Sequence, residues 1–275
     1  TDRSRGLGDV YKRQILLYIP PVQNLLRREV TAYASKATGM QIQVERIDLR
    51  FPLNLLVRGV EVIQQPDTLL SLESLNVRVQ AWPLVKGKVE VDEVTLSQVA
   101  FNSANLIEGM KIKGVLGRFF LQSHGVDLSN ELAVINQTEL SDTHVQMLMN
   151  DTTTTPKDTT ASAPVNWKVD LHKLKLKNVS FSMQLPADSM RMAAHIGEAF
   201  INDAQADLKN QFYELKQFLL SGSSANYDTG AAKPGEGFDA SHIAVRDIRI
   251  GLDSLLYKGR DMNAVIREFS MNERS

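Results

Sequence analysis

The chain has 275 residues, 43% of them apolar and 7% aromatic, with a formal net charge of −1. That length holds one large domain or two ordinary ones with a real core, and the near-zero charge gives no electrostatic case for nucleic-acid binding. Cysteine is absent, which excludes disulfides, thiol catalysis and Cys-ligated metal.

Residues 1–14 (TDRSRGLGDVYKRQ) fit nothing that follows. The stretch Asp9 to Gln14 resembles the translation of a transposon-end adapter used in sequencing libraries. The segment is read as a sequencing artefact and left out of fold reasoning. Ile15 to Ile19 is a short apolar run that stops at Pro20-Pro21. Five residues cannot span a bilayer, which needs about 20. The run is either the tail of a transmembrane anchor or an ordinary buried strand. The helix that follows favours the anchor, so an apolar segment completing the span is expected ahead of Ile15. The other end, Met271 to Ser275, carries no closing signal, and the chain is read as a piece of a longer protein.

Pro20-Pro21 suits a helix start. Val22, Leu25, Leu26, Val30, Tyr33, Ala37 and Met40 then recur at three- and four-residue steps, with Arg27, Arg28 and Lys36 between them. This spacing predicts an amphipathic helix stopped by Gly39. It would pack on the first strands, lie at a membrane surface, or plug the end of an open sheet; packing is the preferred use. Residues 15–40 thus form an anchor remnant plus helix, and residues 41–275 the body.

From Gln41 nearly everything reads as strand. Ile42, Val44, Ile47, Leu49 and Phe51 run to Pro52, and Leu69 to Val79 follows. Trp82-Pro83 breaks the pattern and Lys86-Gly87 reads as a hairpin turn. Gly109, Gly114 and Gly117 mark turns or bulges around Met110 to Leu121. Residues 151–164, a tract of Thr, Ser, Ala and Pro, have no large apolar anchor and read as a disordered loop extruded from one continuous sheet. Its deletion is expected to leave the fold intact. In Asn202 to Leu220, Leu208, Phe212, Leu215 and Leu219 are helically spaced, yet Leu215-x-x-Phe218-x-Leu220 fits a strand. Strand is the preferred reading. Ser221 to Phe238, with four glycines, reads as a second weak stretch.

One pattern recurs four times: apolar-x-apolar-x-x-apolar-x-apolar. It reads Leu55, Val57, Val60, Val62; then Val94, Leu96, Val99, Phe101; then Leu174, Leu176, Val179, Phe181; then Ile243, Val245, Ile248, Ile250. Alternation by two is a half-buried strand. The two-residue gap slips the phase, and a bulge there keeps the apolar side chains on one face. The gap residues are Arg58-Gly59, Ser97-Gln98, Lys177-Asn178 and Arg246-Asp247. Such loose self-similarity predicts a sheet extended by stacking, not a closed enzyme domain.

A search for chemistry finds no constellation. None of His124, His144, His172, His195 and His242 is paired at ligand spacing. There is no nucleophile elbow and no phosphate loop. Glu90, Asp92 and Glu93 alternate with apolar residues, as on the solvated face of a strand. No enzyme, metal or cofactor is predicted.

The stretch Tyr33 to Pro52 (YASKATGMQIQVERIDLRFP), with Thr38-Gly39 closing the helix and Leu55 to Val62 as the next strand, resembles the opening of the TamB family within the AsmA-like envelope proteins. The likeness extends in pattern over residues 15–275. It implies an inner-membrane protein facing the periplasm of a Gram-negative envelope. The fold implied is mainly β, an elongated curled antiparallel sheet with a greasy groove and an N-terminal amphipathic helix. The role implied is to carry glycerophospholipids between the inner and outer membranes, or to assist outer-membrane protein assembly.

The physical argument stands beside the resemblance. A sheet with one apolar face must cover it, and only one amphipathic helix is in sight. The choices left are a sandwich or barrel, or a groove that takes acyl chains. The candidate lipid-lining residues are Val60, Val62, Val94, Leu96, Val99, Phe101, Leu174, Leu176, Val179, Phe181, Ile243, Val245, Ile248 and Ile250. Glu61, Thr95, Lys175, Lys177 and Arg249 are expected to face water. The expected partners are phospholipid acyl chains, the inner membrane and an outer-membrane assembly protein, with no nucleic acid. A scaffold that templates strands at a free sheet edge, or a structural sandwich, is the alternative.

Overall fold

The computed structural model describes residues 20–51, 53–80, 90–127, 130–149, 166–230 and 239–273. Helix α1 (Pro20–Thr38) leads into eleven strands: β1 (Gln41–Arg50), β2 (Asn54–Gln64), β3 (Asp67–Val79), β4 (Val91–Asn102), β5 (Met110–Asp127), β6 (Leu132–Met149), β7 (Lys168–Leu185), β8 (Met190–Asp207), β9 (Phe212–Asp228), β10 (His242–Lys258) and β11 (Asp261–Glu273). They form one open sheet whose spatial order is the chain order. Such a meander follows from strands whose apolar alternation is broken mainly at short turns.

The sheet is a single layer. Strands make substantial contact only with their neighbours in the sheet, and α1 only with β1. Among the described residues just five apolar side chains are buried: Leu56, Leu69, Leu72, Ala133 and Ala199. A filled sandwich of this size would bury far more, because its two inner faces interdigitate. The expected antiparallel sheet is corrected at one place, where β6 and β7 run parallel, Leu132 beside Lys168 and Leu148 beside Gln184. Two antiparallel meanders, β1–β6 and β7–β11, therefore meet at a parallel seam. Parallel neighbours need a connection that returns the chain along the full strand length.

Asn202 to Leu220 is strand, divided by a turn between Asp207 and Phe212. Asp207 closes that turn by accepting hydrogen bonds from the Asn210 backbone N–H (3.0 Å) and side-chain Nδ2 (2.8 Å). These bonds, with Lys168 Nζ 3.3 Å away, hold the Asp207 carboxyl below its usual range. Of the stretch Ser221 to Phe238, read as weak from its glycines, the part from Ser221 to Asp228 is the regular end of β9, and residues 231–238 lie outside the described residues. The segments 1–14, 15–19, 81–89 and 151–164, with their expected artefact, anchor, hairpin and loop, lie outside the described residues.

At two positions of the expected stripe the helix is exposed. Tyr33 is 76% exposed and Ala37 is exposed too. Instead Arg27 and Ser35 reach β1 from positions eight apart, two turns of one helix face. Arg27 donates to the carbonyls of Glu45 (2.8 Å) and Val44 (3.3 Å), and the Ser35 hydroxyl accepts from the Ile42 N–H (3.0 Å). The stripe side chains Val22, Leu25, Leu26 and Val30 lie outside the described residues. No helix among the described residues is long and apolar enough to cross a membrane.

Candidate functional site

The two-residue gap takes one conformation in all four copies. Its second residue is left-handed each time: Gly59 at φ +59°, Gln98 at +50°, Asn178 at +53° and Asp247 at +52°. Asp142 in β6 (+51°) and Gly222 in β9 (+58°) do the same. Glycine, Asn and Asp dominate because a Cβ crowds the following carbonyl in this region, and short polar side chains offset part of that cost by local hydrogen bonds. From β2 to β8 the extra residues lie opposite one another, while Asp247 and Gly222 are offset on either side of the Ile248–Ser223 pair. Gly59 sits between Glu45 and Glu73, Gln98 between Glu73 and Gly117, and Asn178 between Asp142 and Gly197. The pair is tied where Asn178 Nδ2 donates to Asp142 Oδ1 at 2.7 Å. A Cβ at Gly117 would come within 2.7 Å of Asp142 Cβ, and one at Gly197 within 2.5 Å of the Gly222 carbonyl. The extra residues thus form a crease that runs across the sheet from β1 to β10.

The crease sets the faces. From β1 to β9 both partners carry the extra residue, so no register is lost at the crease, and residues three apart on each strand face the same way; between β9 and β10 the register shifts on either side of Ile248. Arg58 with Glu61, and Arg246 with Arg249, flank the crease three apart and are exposed together. Directly opposed residues share a face, so the register can be followed from strand to strand. One row runs Val62, Leu70, Phe101, Gly114, Val145, Phe181, Ala194, Ala225, Val245. The next runs Val60, Leu72, Val99, Leu116, Thr143, Val179, Ile196, with Ile248 opposite Ser223. Beyond the crease follow Val57, Leu75, Leu96, Phe119, Leu140, Leu176, Ala199, Leu220, Ile250, Phe269. A fourth row holds Val77, Val94, Leu121, Thr138, Leu174, Ile201, Phe218 and Leu252. Ile243 lies in an outer row with Tyr227, Met192, Met183, Met147 and Ile112.

All fourteen candidate residues therefore lie in adjoining rows on one face. None is buried; thirteen are half-exposed and Phe181 is 36% exposed. On β7 the face extends from Leu174 to Met183, roughly 30 Å at about 3.3 Å per residue, and it crosses eleven strands, roughly 48 Å at about 4.8 Å per step. The Phe101 ring fills the space over Gly114, where a Cβ would stand 2.5 Å from Cζ.

The other face is polar. Glu61, Lys177 and Arg249 are exposed, while Thr95 and Lys175 are half-exposed. Lys175 lies over the Phe200 ring at 5.5 Å and Arg118 over Phe120 at 5.6 Å. Arg78 pairs with Glu93 at 2.6 Å. Each histidine meets a polar side chain: His124 with Asn136, His144 with Gln146, His172 with Asp203, His195 with Ser180 and His242 with Asp239. Among the described residues no three His, Asp or Glu side chains converge on a metal-sized site.

Sequence reasoning read β1, β3 and part of β9 as strands but assigned only four strands to this face. The same spacing is present as Ile42, Val44, Ile47, Leu49 in β1 and Leu70, Leu72, Leu75, Val77 in β3. It is diluted in β6 (Thr138, Leu140, Thr143, Val145), β8 (Ala194, Ile196, Ala199, Ile201) and β9 (Phe218, Leu220, Ser223, Ala225). A template admitting Ala, Ser and Thr at face positions finds these strands. The sequence matches no protein-family model and no curated protein.

Proposed function

We propose that this chain is a non-enzymatic lipid conduit: the apolar face is the inner wall of a trough that takes phospholipid acyl chains, with headgroups at its open side. The observation that carries this reading is the face itself, continuous over eleven strands and covered by nothing among the described residues. Exposed apolar surface on this scale marks an interaction site. The crease supports the curled shape, since a bulge bends its strand and increases its twist, and bulges aligned across nine strands bend the sheet along one line. An acyl chain of about sixteen methylenes gains roughly 13 kcal/mol on leaving water, at about 0.8 kcal/mol per methylene. That is ample drive for entry and needs no specific residue. In this reading the protein is anchored in the inner membrane, faces the periplasm and moves glycerophospholipids toward or from the outer membrane, as its resemblance to the TamB family implies. A structural sandwich would bury the fourteen residues, and it loses support because none is buried.

The test is photocrosslinking. A photoreactive residue at position 96, 176 or 245 should capture acyl chains in cells, and one at position 177 on the polar face should not. Equal capture on both faces, or none at the three apolar positions, sinks the reading.

A further inference from the structure

Six of the nine methionines lie on four adjoining strands, at the same end of each: Met110 on β5, Met147 and Met149 on β6, Met183 on β7, Met190 and Met192 on β8. The four inner rows of the apolar face contain none from β2 to β10. Strands favour β-branched and aromatic side chains, so propensity does not account for unbranched thioethers gathered at one corner.

Three of them stand in line. Met147 directly opposes Met183 across the parallel seam, and Met183 directly opposes Met192. Directly opposed residues share a face, so the three side chains rise side by side, one strand step of about 4.8 Å apart. Met147 and Met183 are half-exposed and Met192 is 38% exposed, so none is committed to a filled core. The methionine side chain has three rotatable bonds, which let Met147 and Met192 turn their sulfurs toward Met183 between them.

We propose that Met147, Met183 and Met192 form a binding site for Cu(I), held by three thioether sulfurs. The donor set argues for this ion. Thioethers are soft, uncharged ligands that select Cu(I), whereas carboxylates suit harder cations. The chain has no cysteine, so methionine is its only sulfur donor. Among the described residues no three His, Asp or Glu side chains converge to compete for a metal. Ile112 flanks Met147 in the same row, and it offers nothing to a strongly hydrated ion. The site also joins the two meanders: Met147 belongs to the first, Met183 and Met192 to the second, so a bound ion ties them across the seam. None of this depends on what the rest of the face carries.

The test titrates the whole chain with Cu(I), without oxygen, against a chromogenic Cu(I) chelator. One equivalent is expected to bind. Met147→Leu, Met183→Leu and Met192→Leu should each weaken binding at least about tenfold, and the triple variant should abolish it. Leucine keeps the apolar volume and removes the sulfur, so circular dichroism should not change. M262L/M271L, on β11 and outside the row, should bind as the parent chain does. A thioether has no proton to lose, so affinity should be equal at about pH 5 and about pH 8, whereas an imidazole site weakens on acidification. Ag(I), a redox-inert stand-in, should raise the urea midpoint of the parent chain and not that of the triple variant. No uptake of Cu(I) overturns the proposal. So does uptake that survives in the triple variant, that M262L/M271L loses equally, or that falls away at the lower pH.

Discussion

At the residue scale the crease is a set of left-handed positions filled by unlike residues, and their substitutions should separate. Gln98 has neither glycine's freedom nor the short polar side chain of Asn or Asp, yet it holds φ +50°. The left-handed cost of about 1–2 kcal/mol for an ordinary residue is relieved in Gln98→Gly, against a smaller entropic cost in the unfolded chain. Gln98→Gly should therefore be neutral or stabilising by up to about 1 kcal/mol in urea unfolding. Gly59→Ala should go the other way. Its Cβ would stand 2.7 Å from Glu45 Cβ as well as at φ +59°, so the loss should exceed that of Gly259→Ala. Gly259 has a similar φ of +64° but nothing within 4 Å. Equal losses at the two sites would mean the crease tolerates a side chain. Charge at the β8–β9 turn gives a pH test. Asp207 titrates below its usual range because Asn210 hydrogen-bonds its carboxylate. A lowered folded-state value means a stabilisation that is complete above the unfolded value and fades as pH falls through the folded one. Asn210→Ala should raise the Asp207 midpoint, read from its carboxyl carbon by NMR.

At the element scale, the strands were legible and their neighbours were not. The two-period and its gap are local, so Leu55 to Val62 or Leu174 to Phe181 can be read from a few residues. The parallel seam depends on how far the chain travels between Met149 and Asn166, which no local pattern records. In β6 the pattern is diluted because Thr138 and Thr143 stand where the clearer copies have Leu and Val. The helix adds a contact that its spacing did not announce: β1 offers an edge of backbone carbonyls and N–H groups, and Arg27 and Ser35 bond to it. The seam also reverses one expectation. An 18-residue strand such as β6 is roughly 56 Å long if straight. The connection between β6 and β7 ends at opposite ends of those strands, and its eighteen residues reach at most about 65 Å. Deleting residues 151–164 leaves four residues, enough for about 14 Å. The deletion should abolish the parallel pairing and with it cooperative unfolding across the two meanders. A Gly/Ser replacement of equal length should preserve both. A deletion variant that unfolds with unchanged midpoint and slope would show that the seam is not held by this connection.

At the scale of the whole molecule, a single layer answers a question that composition left open. An apolar content of 43% is compatible with a filled sandwich or with an open trough, and the two respond oppositely to charge. In a closed core, an arginine at position 96 would be an unpaired buried charge costing several kcal/mol. In the open sheet Leu96 is half-exposed and lies between Leu75 and Phe119. The guanidinium of Leu96→Arg can extend past them to water while its methylenes stay on the apolar rows. What is lost is mainly cross-strand contact, worth about 0.2–1 kcal/mol for each pair. Leu96→Arg should therefore cost no more than about 2 kcal/mol in urea unfolding, with strand content by circular dichroism unchanged. Under the proposed conduit function it should nevertheless impair transport, because a charge on the apolar face would oppose the passage of acyl chains. In cells the variant should accumulate to normal levels but lose photocapture of lipid at position 176. A loss of 4 kcal/mol or more would place Leu96 in a closed core. A stable variant with undiminished capture would instead mean that lipid does not pass this point of the face.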